Sequence, residues 1–428
     1  MNCLLLLLCI LTVGSLIRTK NGIGSLFSSS SSTSSAVGAL VVGCDAKKLT
    51  LSKNNVIVSN GLRNVGNTCY MNAQLQCAFH IPAVRDIVLS SPPTTTQQQQ
   101  QQQTLPSDDN NDDEIEISQE QQPQHVTTEA LLSLKELFEG MVQTVEENSF
   151  SVYKPFSFCK RLGIEPMIQQ DSQEFWKLLL PAVESEKLSD LYKGVYEDYI
   201  SALDGSGRER RRDDVFLDLS LDVTSSSTLL DSLKESFGEP ELLSNAEGNG
   251  WRPEKGADKV DAHKGLSLVA KGLPPILQFH LKRFNYDWQT DTTTKLNKRF
   301  TFPKSLDLAP ICIDKIENED SKIAEYKLQA VVVHMGEYGV GHYYSYVRPD
   351  IESNTWYRFN DDNVEEVTFN DVKMDAFGGS KKSKLRGIRR LFNIGRSRFG
   401  WGGASSNAYV LQYVRRCDIE SLYHTPSS

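Results

Sequence analysis

The hydrophobic period of this chain changes once, and that change narrows the folds open to it. Met71, Leu75, Ala78 and Phe79 fall on one face of a helix expected from about Cys69 to Phe79. Leu131, Leu134, Phe138, Met141 and Val145 repeat at the same spacing, and a third helix starting at Ser172 turns Phe175, Leu178, Leu179 and Ala182 inward. From Val215 the period becomes two: Val215, Leu217, Leu219, Leu221 and Val223 alternate with polar residues, as in a strand with one solvated face. Ile276 to Phe284, Tyr326 to His334, His342 to Arg348, Trp356 to Phe359 and Ala408 to Arg415 read as further strands. Helices first and strands later predict an α+β fold. No internal repeat is present, and Gly336, Gly339 and Gly341 open no helix, so no phosphate loop is expected.

With 428 residues, 39% of them hydrophobic, the chain can fill a sizeable core. Its formal charge of -9 argues against general nucleic-acid binding and suits a basic partner. The eight cysteines are scattered with no CxxC pair, so neither a disulfide framework nor a structural zinc is expected. Most of these thiols read as buried core. Ser28 to Ser35 is a Ser/Thr tract, and Ser91 to His125 joins seven consecutive glutamines to an acidic run. Ala246 to Ala262 is polar and Gly-rich, while Ser380 to Gly400 carries eight Lys or Arg and no acid. All four read as insertions or linkers. The last is read first as a solvated loop, with nuclear import or an anionic surface as alternatives.

Cys3 to Ile17 is a nearly unbroken apolar run followed by Arg18 and Lys20. It is short for a membrane span and lacks preceding basic residues, so a cleavable signal, a weak anchor and a misassigned start codon all stay open. The expected plan is a signal peptide or anchor over 1–25, a low-complexity linker over 26–55 and one folded domain over 56–418. That domain carries disordered insertions near 91–125, 246–262 and 380–405, and a tail follows over 419–428. Any membrane association would run through residues 1–17.

Cys69 sits where the Gly/Asn-rich turn Gly61-Leu-Arg-Asn-Val-Gly-Asn-Thr68 becomes a helix. Unpaired N–H groups and the positive end of the helix dipole favour a negatively charged sulfur there, although a lone cysteine at a helix start is more often just buried. A thiolate needs an acid–base partner to protonate the leaving amine. Of seven histidines, His342 is best placed, because Gly339-Val-Gly341 before it permits a tight turn and leaves room for a substrate chain. His334, inside the preceding strand, reads as a packed residue.

An orienting acceptor is expected from hairpin register: if the strands on either side pair about a turn centred near Ile351, Asn360 falls directly across from His342. Asp361 could serve instead or hold a water, and the alternative that Asn360 to Asn363 is only a polar turn stands. Asn64 is a candidate donor to a reaction oxyanion, with the backbone N–H of Cys69, or equally a residue that caps the turn.

These residues lie in segments that resemble a known family. Gly61-LRNVGNTCYMNAQLQC77 looks like the Cys box of the ubiquitin-specific proteases, and Gly341-HYYSYV347 with Trp356-YRFNDDNV364 looks like their His box. Gln170-DSQEF175, Leu273-PPILQFHLKRFNYD287, Arg299-FTFP303 and Asn407-AYVLQYV414 follow in the family's order, so the resemblance runs from about Gly61 to Arg416. A QTD-containing stretch after Phe284, and the absence of cysteine between Lys193 and Gly272, resemble the herpesvirus-associated branch, whose flanking domains are missing.

The resemblance implies a papain-like right hand of thumb, palm and fingers, with no zinc ribbon in the fingers. It implies a deubiquitinase that needs no cofactor or metal and hydrolyses isopeptide or peptide bonds at the C-terminal glycine of ubiquitin. Its partners would be ubiquitin and ubiquitinated proteins. Cys69 would be the nucleophile, His342 the acid–base, Asn360 its orienter, Asp361 an auxiliary acid and Asn64 the oxyanion donor. Asp171, Gln173, Phe284 and Tyr343 would line the channel for the ubiquitin tail, whose arginines suit an acidic Asp171. An inert ubiquitin-binding scaffold and a protease for another ubiquitin-like modifier are the competing expectations. This activity favours cytoplasm or nucleus, whereas the apolar N-terminal run favours export or anchoring.

Overall fold

A computed structural model describes residues 56–91, 128–146, 151–313, 321–379 and 405–424. The apolar N-terminal run, the Gln-rich stretch and the basic stretch lie outside the described residues. From Ile57 onward the chain forms one compact unit.

Among the described residues six helices come first: α1 (Cys69–Phe79), α2 (Pro82–Leu89), α3 (Glu129–Glu146), α4 (Phe156–Arg161), α5 (Ser172–Ala182) and α6 (Glu186–Tyr192). The first, third and fifth are the three read from the periodicity. α1 departs from the one-faced pattern expected of it, because every residue from Cys69 to Phe79 is buried. Helices and sheet enclose it from all sides, so Asn72, Gln74 and Gln76 are internal polar groups. In α5, Phe175 and Leu179 are buried as expected, together with Trp176 and Leu180, and Leu178 is only half-buried.

The strands are β1 (Gly194–Ala202), β2 (Glu209–Phe216), β3 (Leu219–Asp222), β4 (Glu241–Leu243), β5 (Ala262–Leu268), β6 (Ile276–Lys282), β7 (Phe284–Asp287), β8 (Thr292–Lys295), β9 (Ser305–Asp307), β10 (Glu325–Glu337), β11 (Val340–Val347), β12 (Trp356–Asn360), β13 (Asn363–Val367) and β14 (Asn407–Arg415). Among the described residues the helices α7 (Leu229–Phe237), α8 (Phe369–Ala376) and α9 (Ile419–Tyr423) lie among or after them. The main sheet runs β13-β12-β11-β10-β14-β6-β3, with β9 paired to β10, and among its described strands only β3 and β6 pair in parallel. A second sheet runs β2-β1-β5-β4, and β7 and β8 form a separate hairpin.

The single strand expected over Val215 to Val223 is in fact two. β2 ends at Phe216 in the small sheet with Val215 60% exposed, and β3 begins at Leu219 in the main sheet. Phe216 and not Val215 turns inward at the end of β2, so the alternation read from Val215 to Val223 crosses a break that periodicity alone cannot reveal. The polar stretch over 246–262 was expected to be an insertion without structure. Instead Trp251 and Val260 exchange two backbone hydrogen bonds of 2.9 and 2.8 Å, and Ala262 begins β5.

The central strands are buried on both faces. Ala330, Val332, Val410 and Val414 pack with Tyr70, Phe79, Phe138 and Trp176 of the helical layer. The alternate residues Val331, Val333, Leu411 and Tyr413 pack on the opposite side with Leu229, Leu233, Phe300 and Trp356. A strand covered twice reads as a continuous apolar run, as Ala330-Val-Val-Val333 does. α1 lies against β11 across this layer, which brings the start of the one beside the start of the other.

Candidate active site

The turn before α1 is built on one side chain. Asn64 Oδ1 accepts from the Gly66 N–H at 3.0 Å, the Thr68 N–H at 3.1 Å and Thr68 Oγ1 at 3.2 Å. This side-chain turn replaces a backbone one and hands the chain to the helix at Thr68. Thr68, the N-cap residue, makes no side-chain bond to the helix it starts, so the first-turn N–H groups beside Cys69 keep their donors free of a cap. The Cys69 side chain is buried at that end.

His342 arrives on β11. Its Nε2 donates to Asn360 Oδ1 at 2.6 Å, which leaves Nδ1 as the ring nitrogen available to Cys69. Burial alone would push this imidazole down. The hydrogen bond and charge of Cys69, then Asp361 and the Asn360 amide, outweigh burial and raise His342 to about 9. The other buried histidines behave differently. Burial pushes His80 and His334 down to about 3, and both are packed against aromatic rings, His80 on Phe359 and His334 between Phe284 and Tyr343.

The expected hairpin register is off by two residues. Ser345 pairs with Phe359, Tyr346 with Arg358 and Val347 with Tyr357, so extending the ladder puts Tyr344 opposite Asn360. The turn is centred one residue later than expected, on Glu352. A shift of two preserves the face on which a side chain projects, so His342 and Asn360 remain diagonal neighbours close enough to bond.

Asp361 ties the two halves of the site together. It sits at positive φ (53°) in the turn between β12 and β13. Its Oδ2 accepts from Asn64 Nδ2 at 3.1 Å, its Oδ1 accepts from Asn72 Nδ2 at 2.9 Å, and its backbone carbonyl accepts from the Leu62 N–H at 2.9 Å. The same Oδ2 lies 3.8 Å from His342 Nε2. Burial raises this carboxyl above its ordinary range, and His342, Asn72 and Asn64 pull against the rise. One N–H of Asn64 therefore goes to Asp361, and its carbonyl is spent on the turn.

Three of the four residues expected to line a tail channel meet at Tyr409. Asp171 caps α5, its Oδ1 accepting from the Gln173 and Glu174 N–H groups at 2.8 and 3.1 Å, while its Oδ2 accepts from the Tyr409 hydroxyl. Gln173 Nε2 donates to Asp218 Oδ2 at 2.8 Å. Phe284 and Tyr343 each pack on Tyr409, with ring centroids 5.6 and 5.7 Å apart.

Sequence reasoning missed Tyr409, which sits within one of the recognised blocks, and Gln169, which immediately precedes another. Gln169 Nε2 lies 3.8 Å from Cys69 Sγ and donates to the Gly341 carbonyl at 2.8 Å. No local signal separates Gln169 from Gln170 beside it.

A family model described as ubiquitin carboxyl-terminal hydrolase matches residues 60–413. The chain belongs to that family. Among relatives of this hydrolase family, ubiquitin carboxyl-terminal hydrolase 15 of Schizosaccharomyces pombe is 29% identical over 375 residues, covering 85% of this chain and 28% of its own. Ubiquitin C-terminal hydrolase 13 of Arabidopsis thaliana is 30% identical over 386 residues, covering 85% and 30%. Ubiquitin carboxyl-terminal hydrolase 9X of Mus musculus is 29% identical over 413 residues, covering 83% and 16%. The chain thus spans less than a third of the length of these curated relatives. Among solved structures, the SAGA DUB module of Ubp8, Sgf11, Sus1 and Sgf73 bound to monoubiquitin aligns with a TM-score of 0.56 at 21% identity, covering 84% of this chain and 69% of that one. That likeness supports the papain-like α+β fold of the hydrolase family.

Proposed function

We propose that this chain is a cysteine-type deubiquitinase that cleaves after the C-terminal glycine of ubiquitin, releasing ubiquitin from conjugated proteins. The observation that carries the reading is His342 bonded to Asn360 Oδ1 at 2.6 Å through Nε2, which leaves Nδ1 for Cys69. Cys69 sulfur attacks the glycine carbonyl. His342, held protonated, gives its Nδ1 proton to the leaving lysine amine, and the resulting thioester is hydrolysed by water with His342 now acting as base. Asn360 fixes the ring and Asp361 braces it. The second N–H of Asn64 and the Cys69 backbone N–H are the oxyanion donors in this reading.

Family membership and the aromatic and acidic lining around Asp171, Gln173, Phe284 and Tyr343 support ubiquitin's tail as the substrate. The stretch Gln289-Thr-Asp291 and the lack of cysteine between Lys193 and Gly272 support the herpesvirus-associated branch and fingers without zinc. There, stacking of Tyr196 on Phe216 at 5.9 Å and its edge contact with Phe237 take up the packing. The catalytic domain proposed begins near 56 and runs past the expected end at 418, because Ile419 and Leu422 of α9 are buried in its core. The compartment proposed is cytoplasm or nucleus, where ubiquitin and a reducing environment coincide. Among the described residues no helix is long and apolar enough to cross a membrane.

The test is incubation of the purified chain with a ubiquitin whose C-terminus carries an electrophile. Wild type is expected to form a covalent adduct and Cys69→Ala none. Asn360→Ala is expected to lower kcat by about a hundredfold or more with KM nearly unchanged, since orientation is its role. A wild-type chain that binds ubiquitin without labelling defeats the reading.

A further inference from the structure

A side-chain amide carries the same donor and acceptor as a peptide group, and Gln169 uses both on one residue. Its Oε1 accepts from the Gly341 N–H at 3.2 Å and its Nε2 donates to the Gly341 carbonyl at 2.8 Å. This two-bond ring is the exchange that directly opposed residues make in an antiparallel ladder. The place where it forms is an open edge. The other side of β11 is taken by β10, with Gly341 opposite Gly336, and β12 pairs only from Ser345 onward. Gly341 precedes His342, and the same Nε2 lies 3.8 Å from Cys69 Sγ.

An extended substrate that brings a carbonyl carbon to Cys69 must run along this edge. Its backbone would find its partners on Gly341, as peptides do when they add to an exposed strand. Reacting atoms need an approach of about 3–3.5 Å. The Gln169 amide and a substrate peptide therefore compete for one place.

We propose that Gln169 is an internal stand-in for the substrate's terminal peptide: it occupies the Gly341 edge over Cys69 in the free protein and is displaced when the tail binds. The inference rests on the function proposed above. Gln169 sets the affinity of the cleft rather than the rate of the chemistry, and shields the sulfur when no substrate is present. It is half-buried and precedes α5, so replacing it leaves the core intact.

Two variants test this on the full chain. Gln169→Ala removes the amide, and Gln169→Asn keeps it on a stem one methylene too short to reach both Gly341 groups. Both are expected to lower KM for a ubiquitin C-terminal fluorogenic amide by about threefold to tenfold, because the fraction of competent cleft rises, with kcat within about twofold. Both are also expected to speed alkylation of Cys69 by iodoacetamide several-fold, read by peptide mass spectrometry so that Cys417 and Cys312 are counted separately. An unchanged alkylation rate overturns the inference. So does a raised or unchanged KM, or a kcat lower by about tenfold, which would make Gln169 a residue that positions β11. If the wild type neither turns over nor labels with the ubiquitin electrophile, the proposed function fails, and the alkylation rates still decide whether Gln169 covers the sulfur.

Discussion

An imidazole taken out of water ordinarily gives up its proton more readily, and His80 and His334 do so in this fold. His342 is only partly buried, its side chain 28% exposed, and its proton is held because Cys69, Asp361 and Asn360 supply it with acceptors and negative charge. The raised value, about 9 against an ordinary 6.5, has a defined sign. The charged ring contributes stability fully present below 6.5 and lost as pH rises through about 9. We expect ring-proton NMR to place the His342 titration near 9, and in Cys69→Ala to find it lower, since the largest opposing influences on burial come from that sulfur. An unchanged titration in Cys69→Ala would mean that Asp361 and Asn360 alone retain the proton.

At the scale of elements, the centre is a junction between the turn before α1 and the turn between β12 and β13. Gly61 has φ of 94°, and a Cβ there would sit 2.5 Å from the Asp361 carbonyl oxygen, the atom that accepts from Leu62. Gly61→Ala is expected to cost about 1–3 kcal/mol and to lower activity more than its fall in melting temperature accounts for, because the two turns part. A full-strength enzyme in Gly61→Ala would show that the junction is dispensable. Much of this level was readable in advance: α1 begins and ends where periodicity put it, and β10, β11 and β14 extend the expected runs by only a few residues. The register was not readable, since a turn centred on Ile351 and one centred on Glu352 satisfy the same alternation. Tyr409 and Gln169 escaped for another reason. Their roles exist only through Asp171 and Gly341, contacts that tertiary folding alone creates.

Among the described residues two apolar layers pack on the main sheet, and Arg283 fastens the far layer. It is fully buried, stands over the Phe300 ring and donates to the carbonyls of Ala408, Leu296 and Lys298, with burial lowering even its guanidinium to about 10. Arg283→Met keeps much of the volume but strands three carbonyls, so we expect a loss of about 3 kcal/mol or more in urea unfolding. A loss below about 1 kcal/mol would mean that water takes over the bonds. The position of β14 has a wider consequence. This last strand lies in the middle of the main sheet, between β10 and β6, and not at its edge. A chain emerging from the ribosome therefore carries Cys69 early and His342 late, while the strand that joins β10 to β6, residues 407–415, comes later still. The proposed activity would therefore depend on a strand made after both Cys69 and His342.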